Sequence, residues 1–387
     1  MQFVYTTEDN MWYNLIMETE LNRKRKRFFN VLRPLAVLVC RLAWGLKVNK
    51  RLDIEGPYLV LSNHTCFGDA LGLCATFREP LHIVAASAVG GGGKDTWLKR
   101  MVGLLPIDKA GMDLKSVRTM LATTKAGESI GLYPEGNKTI DGSMLPVDVS
   151  IAKLAKKMGV KVVLFRTQSG YAKKPKWAYH ARRGTISGDV TDVIEVDEIA
   201  ALTTEQLHER IVKGISYDIK QNEVPYTGRD MAKGIGRILY YCPKCGQATT
   251  WKTNRNRFSC VKCGERYFLN PLGGVDGLRF GYISDWNDWQ KEMVKEVEKT
   301  SGTWFALEGV WSEYSTKQVL ADGTFAVGSD GVSVGDMRYS FAEIDGIVLH
   351  DANRFLMTVG DKHFKFDPHG KDDCVLPLIY AIEDNIH

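Results

Sequence analysis

The chain has 387 residues, 44% of them hydrophobic and 25% charged, the balance of a globular protein with room for two or three cores. Extended disorder is excluded, and so is a membrane-spanning helix of about 20 apolar residues, because the best hydrophobic stretch, Phe28 to Leu46, is broken by Arg33, Pro34 and Arg41. The net charge of +5 is modest but uneven, with Arg23, Lys24, Arg25, Lys26 and Arg27 forming an unbroken run that suits a polyanion.

Met1 to Glu20 lacks a basic start followed by an apolar stretch, so no secretory signal is expected. Next, Phe28, Leu32, Leu35, Val39, Leu42 and Leu46 recur at steps of three and four, with Asn30, Arg33 and Arg41 on the other side. This predicts an amphipathic segment, divided into two helices at Pro34, where a backbone donor is lost. An apolar stripe entered through a basic run suits peripheral attachment to anionic lipid; a core-facing helix pair with a solvated basic face is the alternative.

From Leu52 to about Gln221 short apolar runs alternate with helical stretches, an α/β rhythm. Strands are predicted at Tyr58 to Leu61, His82 to Ala85, Leu104 to Ile107, Ile130 to Tyr133 and Val160 to Phe165. Helices fit from a cap at Asp113 to Lys125, from Val147 to Met158 with Gly159 as the stop, and after Thr203, whose partner Gln206 completes a capping box. Gly90 to Gly93 and Lys94 do not make a phosphate loop, since Ala88 and Asp95 occupy the places of its glycine and hydroxyl residue. They read as a loop beside the pocket. Arg182 and Arg183 read as a solvated strand end.

Directly after the first of those strands come Asn63, His64, Thr65, Cys66, Phe67, Gly68 and Asp69. With Gly68 allowing a tight turn, Asp69 can reach one imidazole nitrogen and leave the other for a substrate hydroxyl. An imidazole oriented in this way is a general base. After the Ile130 strand, Tyr133, Pro134, Glu135, Gly136, Asn137, Lys138 and Thr139 form a turn offering a carboxylate, backbone amides and a cation to a polyol phosphate. Between the two, the Leu104 to Ile107 strand runs on to a second cation, Lys109.

The order N-H-x-x-x-x-D, G-x-x-P-I-x-K and Y-P-E-G-N-K-T resembles the glycerolipid acyltransferases of the 1-acyl-glycerol-3-phosphate O-acyltransferase family, over roughly residues 30 to 220. The resemblance implies His64 as base, Asp69 as its partner, and Glu135 and Gly136 in the acceptor site. Lys109, Asn137 and Lys138 join that site on the same grounds. It further implies acyl-CoA or acyl-carrier protein as donor, a lysolipid acceptor, and phospholipid biosynthesis at the cytoplasmic face of a membrane, held peripherally by a paired amphipathic helix. Lys109 and Lys138 stand where arginine is commoner, so phosphate would be met by point charges. The fourth block, Val162 to Arg166, lacks a proline. These departures bear on the acceptor, leaving another lysophospholipid or a glycolipid open. A non-catalytic lipid-binding scaffold on the same fold is the reading from another class.

Cys242, Cys245, Cys260 and Cys263 form two Cys-x-x-Cys knuckles, the pattern of a closed, structural Zn²⁺ ribbon. Lys252, Arg255 and Arg257 lend it some basic character, but without a stacking array nucleic acid is not the expected partner. The other cysteines read as buried thiols in a reducing compartment. Beyond a helix at Trp286 to Lys299, short runs separated by glycine, aspartate and asparagine predict a small antiparallel sheet or barrel. It begins at Phe325 and closes with a helix from Val375 to Asn385, similar in pattern to a pleckstrin-homology-like barrel. The expected organisation is amphipathic helices at 1–50, an α/β acyltransferase domain with a mixed sheet at 51–222, a zinc ribbon at 235–270, and a β-rich docking domain at 271–387.

Overall fold

The computed structural model describes residues 24, 26–35, 37–42, 44–48, 54–66, 68–86, 103–107, 114–277, 279–299 and 302–386. Lys109, Asp113 and the Gly90 to Lys94 run lie outside them.

Seven strands make the first sheet: β1 (Leu46–Val48), β2 (Tyr58–Ser62), β3 (His82–Ala86), β4 (Leu104–Ile107), β5 (Ile130–Leu132), β6 (Lys161–Gln168) and β7 (Ile186–Ile194). Their order is β1-β7-β6-β2-β5-β3-β4, parallel throughout except between β6 and β7. Strand β2 is central and wholly buried. Its side chains alternate between two apolar layers, as a strand covered on both faces must. Leu59 and Leu61 pack with α3 (Ser150–Met158) and α6 (Thr204–Ile215), while Tyr58 and Val60 pack with α1 (Gly68–Thr76). Helix α2 is Leu114–Lys125, and the short helices α4 (Gly170–Lys173) and α5 (Val196–Ala201) complete this half. The Thr203 capping box forms as expected, with Gln206 N donating to the Thr203 hydroxyl.

Amphipathicity at the amino-terminal end takes a different form from the one expected. Residues 26–35 are helical straight through Pro34, and 37–42 are helical again. Asn30, whose carbonyl loses its partner to the proline, is exposed, where water can replace the missing donor. Arg33 faces inward, its guanidinium donating to the Cys74 and Ala75 carbonyls at the end of α1, where the unpaired carbonyls of a helix terminus attract a cation. Val37, Cys40 and Trp44 pack beside Leu46, Cys66 and Ile186. The outer face carries Val31, Leu35, Leu38, Val39 and Leu42, from 51% to 78% exposed. Among the described residues no helix is long and apolar enough to cross a membrane.

The cysteine module forms a four-stranded antiparallel sheet of β8 (Trp251–Asn254), β9 (Arg257–Cys260), β10 (Arg266–Leu269) and β11 (Val275–Asp276). Helix α7 (Ile283–Glu298) then leads into seven antiparallel strands: β12 (Thr303–Glu313), β13 (Val319–Gly328), β14 (Gly331–Val334), β15 (Met337–Tyr339), β16 (Gly346–Leu349), β17 (Phe355–Val359) and β18 (Lys362–Pro368). They meander in the order β15-β14-β13-β12-β18-β17-β16, so the first strand pairs with the last, and α8 (Leu376–Glu383) follows. This is the antiparallel sheet with a closing helix that the sequence suggested, called the barrel below for the pairing of its first strand with its last. Ribbon and barrel share one apolar core. Phe258, Tyr267 and Trp286 on one side, and Trp311, Phe325 and Phe366 on the other, join a cluster that also takes in Ile140 and Trp177 from the first half.

Candidate active site

Strands β2 and β5 are parallel neighbours, with Leu61 opposite Leu132. The turns that leave them therefore emerge side by side at the carboxyl edge of the sheet, the usual position for ligands in open α/β folds. One carries His64 and Asp69, the other Glu135. On the far side Asn63 continues the pairing of β2 with β6, donating to the Thr167 carbonyl (2.9 Å) and accepting from its N–H (2.7 Å).

Asp69 begins α1 and is fully buried. Its Oδ2 lies 3.0 Å from His64 Nδ1 and accepts the Thr65 N–H (2.5 Å) and the Cys66 N–H (2.8 Å). Oδ1 accepts the Thr65 hydroxyl at 2.9 Å and the Cys66 thiol at 3.4 Å. Such an arrangement holds the carboxylate still, and a carboxylate oxygen on Nδ1 leaves Nε2 as the ring nitrogen free to meet a substrate. The histidine is 22% exposed, so that nitrogen can be reached. Its ring stacks on Tyr133, centroids 4.2 Å apart and planes at 20°. The Tyr133 hydroxyl is buried and has no hydrogen-bond partner among the described residues. Burial, and then the Asp69 charge, raise the Cys66 thiol well above the usual range.

The Glu135 turn differs from its expected use. Glu135 Oε1 accepts the His64 N–H (2.6 Å) and Oε2 the Leu145 N–H (2.7 Å), so the carboxylate joins the two turns. The amides expected to face phosphate are turned inward: Gly136 N donates to the Tyr133 carbonyl, Lys138 N to Asn137 Oδ1 and Thr139 N to the His64 carbonyl. Gly136 adopts φ 66°, a conformation that favours glycine. Asn137 donates to the Leu349 carbonyl at 2.5 Å and accepts from Lys176 at 2.9 Å, which commits its side chain to the barrel. Lys138, half-buried, is the cation that the turn brings to this edge. Arg182, expected in solvent, is buried against Trp177 and donates to the Ala172 and Met231 carbonyls.

Burial lifts the Glu135 carboxyl from 4.5 to about 7, against the two N–H donors and with help from Asp69. A folded-state pKa above the unfolded one means that the native state binds the proton more tightly, so stability falls as pH rises between about 4.5 and about 7. Glu135→Gln removes this share of the slope. In urea melts the difference between wild type and variant will change between pH 5 and pH 8, whereas a constant difference would contradict the assignment.

Gly170, which the sequence did not single out, closes the dyad from the α4 side. A Cβ there would lie 2.1 Å from Thr65 Oγ1 and 3.1 Å from both Asp69 Oδ1 and Cys66 Sγ. Gly170→Ala is expected to cost about 1–3 kcal/mol by overpacking and to lower turnover about tenfold, because the displaced Thr65 and Asp69 are what orient His64. Denaturation midpoints and kcat measured together check this.

The four cysteines of the ribbon converge as predicted. Their sulfur atoms lie within 4.8 Å of one another, the one such group of potential metal ligands among the described residues. Cys242 Sγ and Cys263 Sγ are 3.7 Å apart, close to the edge of about 3.8 Å in a tetrahedron with metal–sulfur bonds of about 2.3 Å. Gly246 and Gly264, at φ 67° and 76°, close matching knuckles in which their amides donate to the Cys242 and Cys260 carbonyls. The donor set fits a metal held by thiolates alone.

A family model described as Acyltransferase matches residues 45–165, which contain both turns. That segment is similar to an acyltransferase domain. Among solved structures the chain is similar to the 1-acyl-sn-glycerophosphate (LPA) acyltransferase PlsC of Thermotoga maritima, at 15% identity and a TM-score of 0.43, over 53% of this chain and 86% of that one. A search of curated proteins returned no match.

Proposed function

We propose that the chain moves a fatty acyl group from acyl-CoA or acyl-carrier protein to the free hydroxyl of 1-acyl-glycerol-3-phosphate or a related lysolipid, forming a diacyl product for phospholipid biosynthesis. The observation that carries the reading is the His64–Asp69 contact at the carboxyl edge of the sheet, inside an acyltransferase domain. His64 Nε2 takes the hydroxyl proton while the alcohol oxygen attacks the thioester carbonyl. When the tetrahedral intermediate collapses, the C–S bond breaks and the imidazolium returns its proton to the departing thiolate. Asp69 stabilises the transient imidazolium. Lys138, together with Lys109, supplies charge for the acceptor phosphate, and Glu135 and Gly136 shape the turn that presents it. Mass spectrometry of the products from a mixed pool of lysolipids and acyl donors tests this directly. Diacyl product supports the reading, and its absence across the pool refutes it.

The four thiolates hold a structural Zn²⁺, because a closed all-sulfur site has no open position for substrate. Attachment is peripheral, at the cytoplasmic face, through Val31, Leu35, Leu38, Val39 and Leu42, with Arg27 and Arg41 exposed to anionic head groups. Leu38→Asp with Leu42→Asp is expected to weaken binding to anionic vesicles about tenfold or more in flotation assays, leaving turnover on short-chain, monomeric substrates intact. Undiminished flotation would remove this helix from the membrane surface.

A further inference from the structure

Residues 137–143, which follow the Glu135 turn, are gripped from both ends by the carboxyl-terminal half of the chain. At one end Asn137 donates to the Leu349 carbonyl, at the close of β16, and Lys176 Nζ bridges Asn137 Oδ1 and that same carbonyl at 2.9 and 3.1 Å. At the other, Asn287 on α7 donates to Asp141 Oδ2 (2.9 Å) and lies 3.0 Å from the Tyr380 hydroxyl of α8. Asp141 Oδ1 in turn accepts the Thr139 hydroxyl (3.2 Å) and both the amide and hydroxyl of Ser143. Thr139 N donates to the His64 carbonyl at 3.1 Å. An unbroken run of hydrogen bonds therefore joins the barrel's closing helix to the backbone of the catalytic histidine.

We infer that the carboxyl-terminal half completes the active site: Asn287, through Asp141, and the Leu349 carbonyl, through Asn137, are positioning groups that set the loop carrying the His64 contacts. The inference rests on His64 being the base, and two observations separate it from ordinary packing between parts of a chain. Thr139, Asp141 and Asn287 are each no more than 4% exposed, so water cannot take the place of a lost partner. Ile140, in the middle of the loop, belongs to the apolar cluster of the ribbon and barrel rather than to the clusters around the first sheet. The loop that meets His64 is thus built half by one part of the protein and half by the other. Another anchor, Ile219 N to the Gly142 carbonyl, does not pass through Asn287.

The test uses the full chain with Asn287→Ala and, as a second variant at the half-buried end, Asn137→Ala. Hydrogen exchange, kcat, KM and the pH profile of kcat are read. Hydrogen exchange at the amides of Thr139, Gly142 and Leu145 is expected to accelerate about tenfold, with β2 and β6 protected as in the wild type. The kcat is expected to fall about tenfold, with KM for the acyl donor unchanged and the pH profile of kcat displaced, because a misplaced imidazole changes its protonation as well as its aim. Loop exchange and pH profiles that superimpose on the wild type in both variants would overturn the inference. A wild-type protein without acyl transfer to any lysolipid would overturn the proposed reaction, while the exchange measurement still decides whether the barrel sets the loop. If Asn287→Ala does not fold, Asn137→Ala carries the comparison.

Discussion

His64→Ala is expected to lower acyl transfer about a thousandfold, the scale set by loss of a positioned general base. The fold should survive it. His64 is partly exposed, and the two turns remain joined through its backbone, since its amide and carbonyl, rather than its ring, bond to Glu135 and Thr139. Asp69→Asn is the sharper comparison. It keeps the volume but sets an amide donor among the Thr65 and Cys66 N–H groups that now meet an acceptor, and it removes the charge opposite the imidazolium. Turnover should fall on the same scale, and stability by about 1.5–3 kcal/mol, the usual worth of a buried hydrogen bond to a charged group. Steady-state rates with a saturating lysolipid, beside urea melts, separate the two effects. If His64→Ala retained full turnover, the proton would have to go elsewhere and the proposed mechanism would fail.

The dyad was legible because its partners are five residues apart, on a turn whose geometry a strand, a glycine and a helix start nearly dictate. That the Glu135 turn lies beside it was not legible from spacing. It follows from β5 pairing with β2, a choice of sheet order made by packing over the whole domain. The use of Asn137 escaped the sequence for a stronger reason: its partner, Leu349, is 212 residues away in the chain. Glu135 has the residue type of a substrate ligand, but both of its oxygens serve the backbone of neighbouring turns, a role that no residue-type pattern announces.

Among the strands, β7 carries no apolar run of the kind that marks a strand, and its Gly188 is there to admit the Phe165 ring, which a Cβ would approach at 2.5 Å. Strand β12 lies ahead of Phe325, where the sheet is expected to begin. Its Gly309 makes room for the Phe366 ring and the Asp367 carbonyl of β18. Both cases have one physical origin: close approach between strands selects glycine, and glycine imitates a turn when read along the chain.

Removing the metal should have the widest structural consequence. Four thiols drawn within 4.8 Å of one another have no reason to stay together without a cation, since their thiolate forms repel. Binding of a structural Zn²⁺ supplies on the order of 10–16 kcal/mol in isolated fingers, comparable with the whole stability of a domain. In this chain the energy would not remain in the ribbon. Trp251, Phe258 and Tyr267 make ring contacts with one another and with Trp286 of α7, the helix that also carries Asn287. Melting of the knuckles therefore frees α7, and with it the grip on Asp141. Cys242→Ser with Cys245→Ser, or a strong chelator, is expected to abolish the near-ultraviolet circular dichroism of the packed tryptophans, to open 240–269 to proteases, and to take acyl transfer down with it. The first sheet, whose apolar clusters contain no ribbon residue, should keep its protection against hydrogen exchange. Loss of about one Zn²⁺ per chain with the dichroism, the protease resistance and the turnover all unchanged would show that the four cysteines hold their metal for some purpose other than folding.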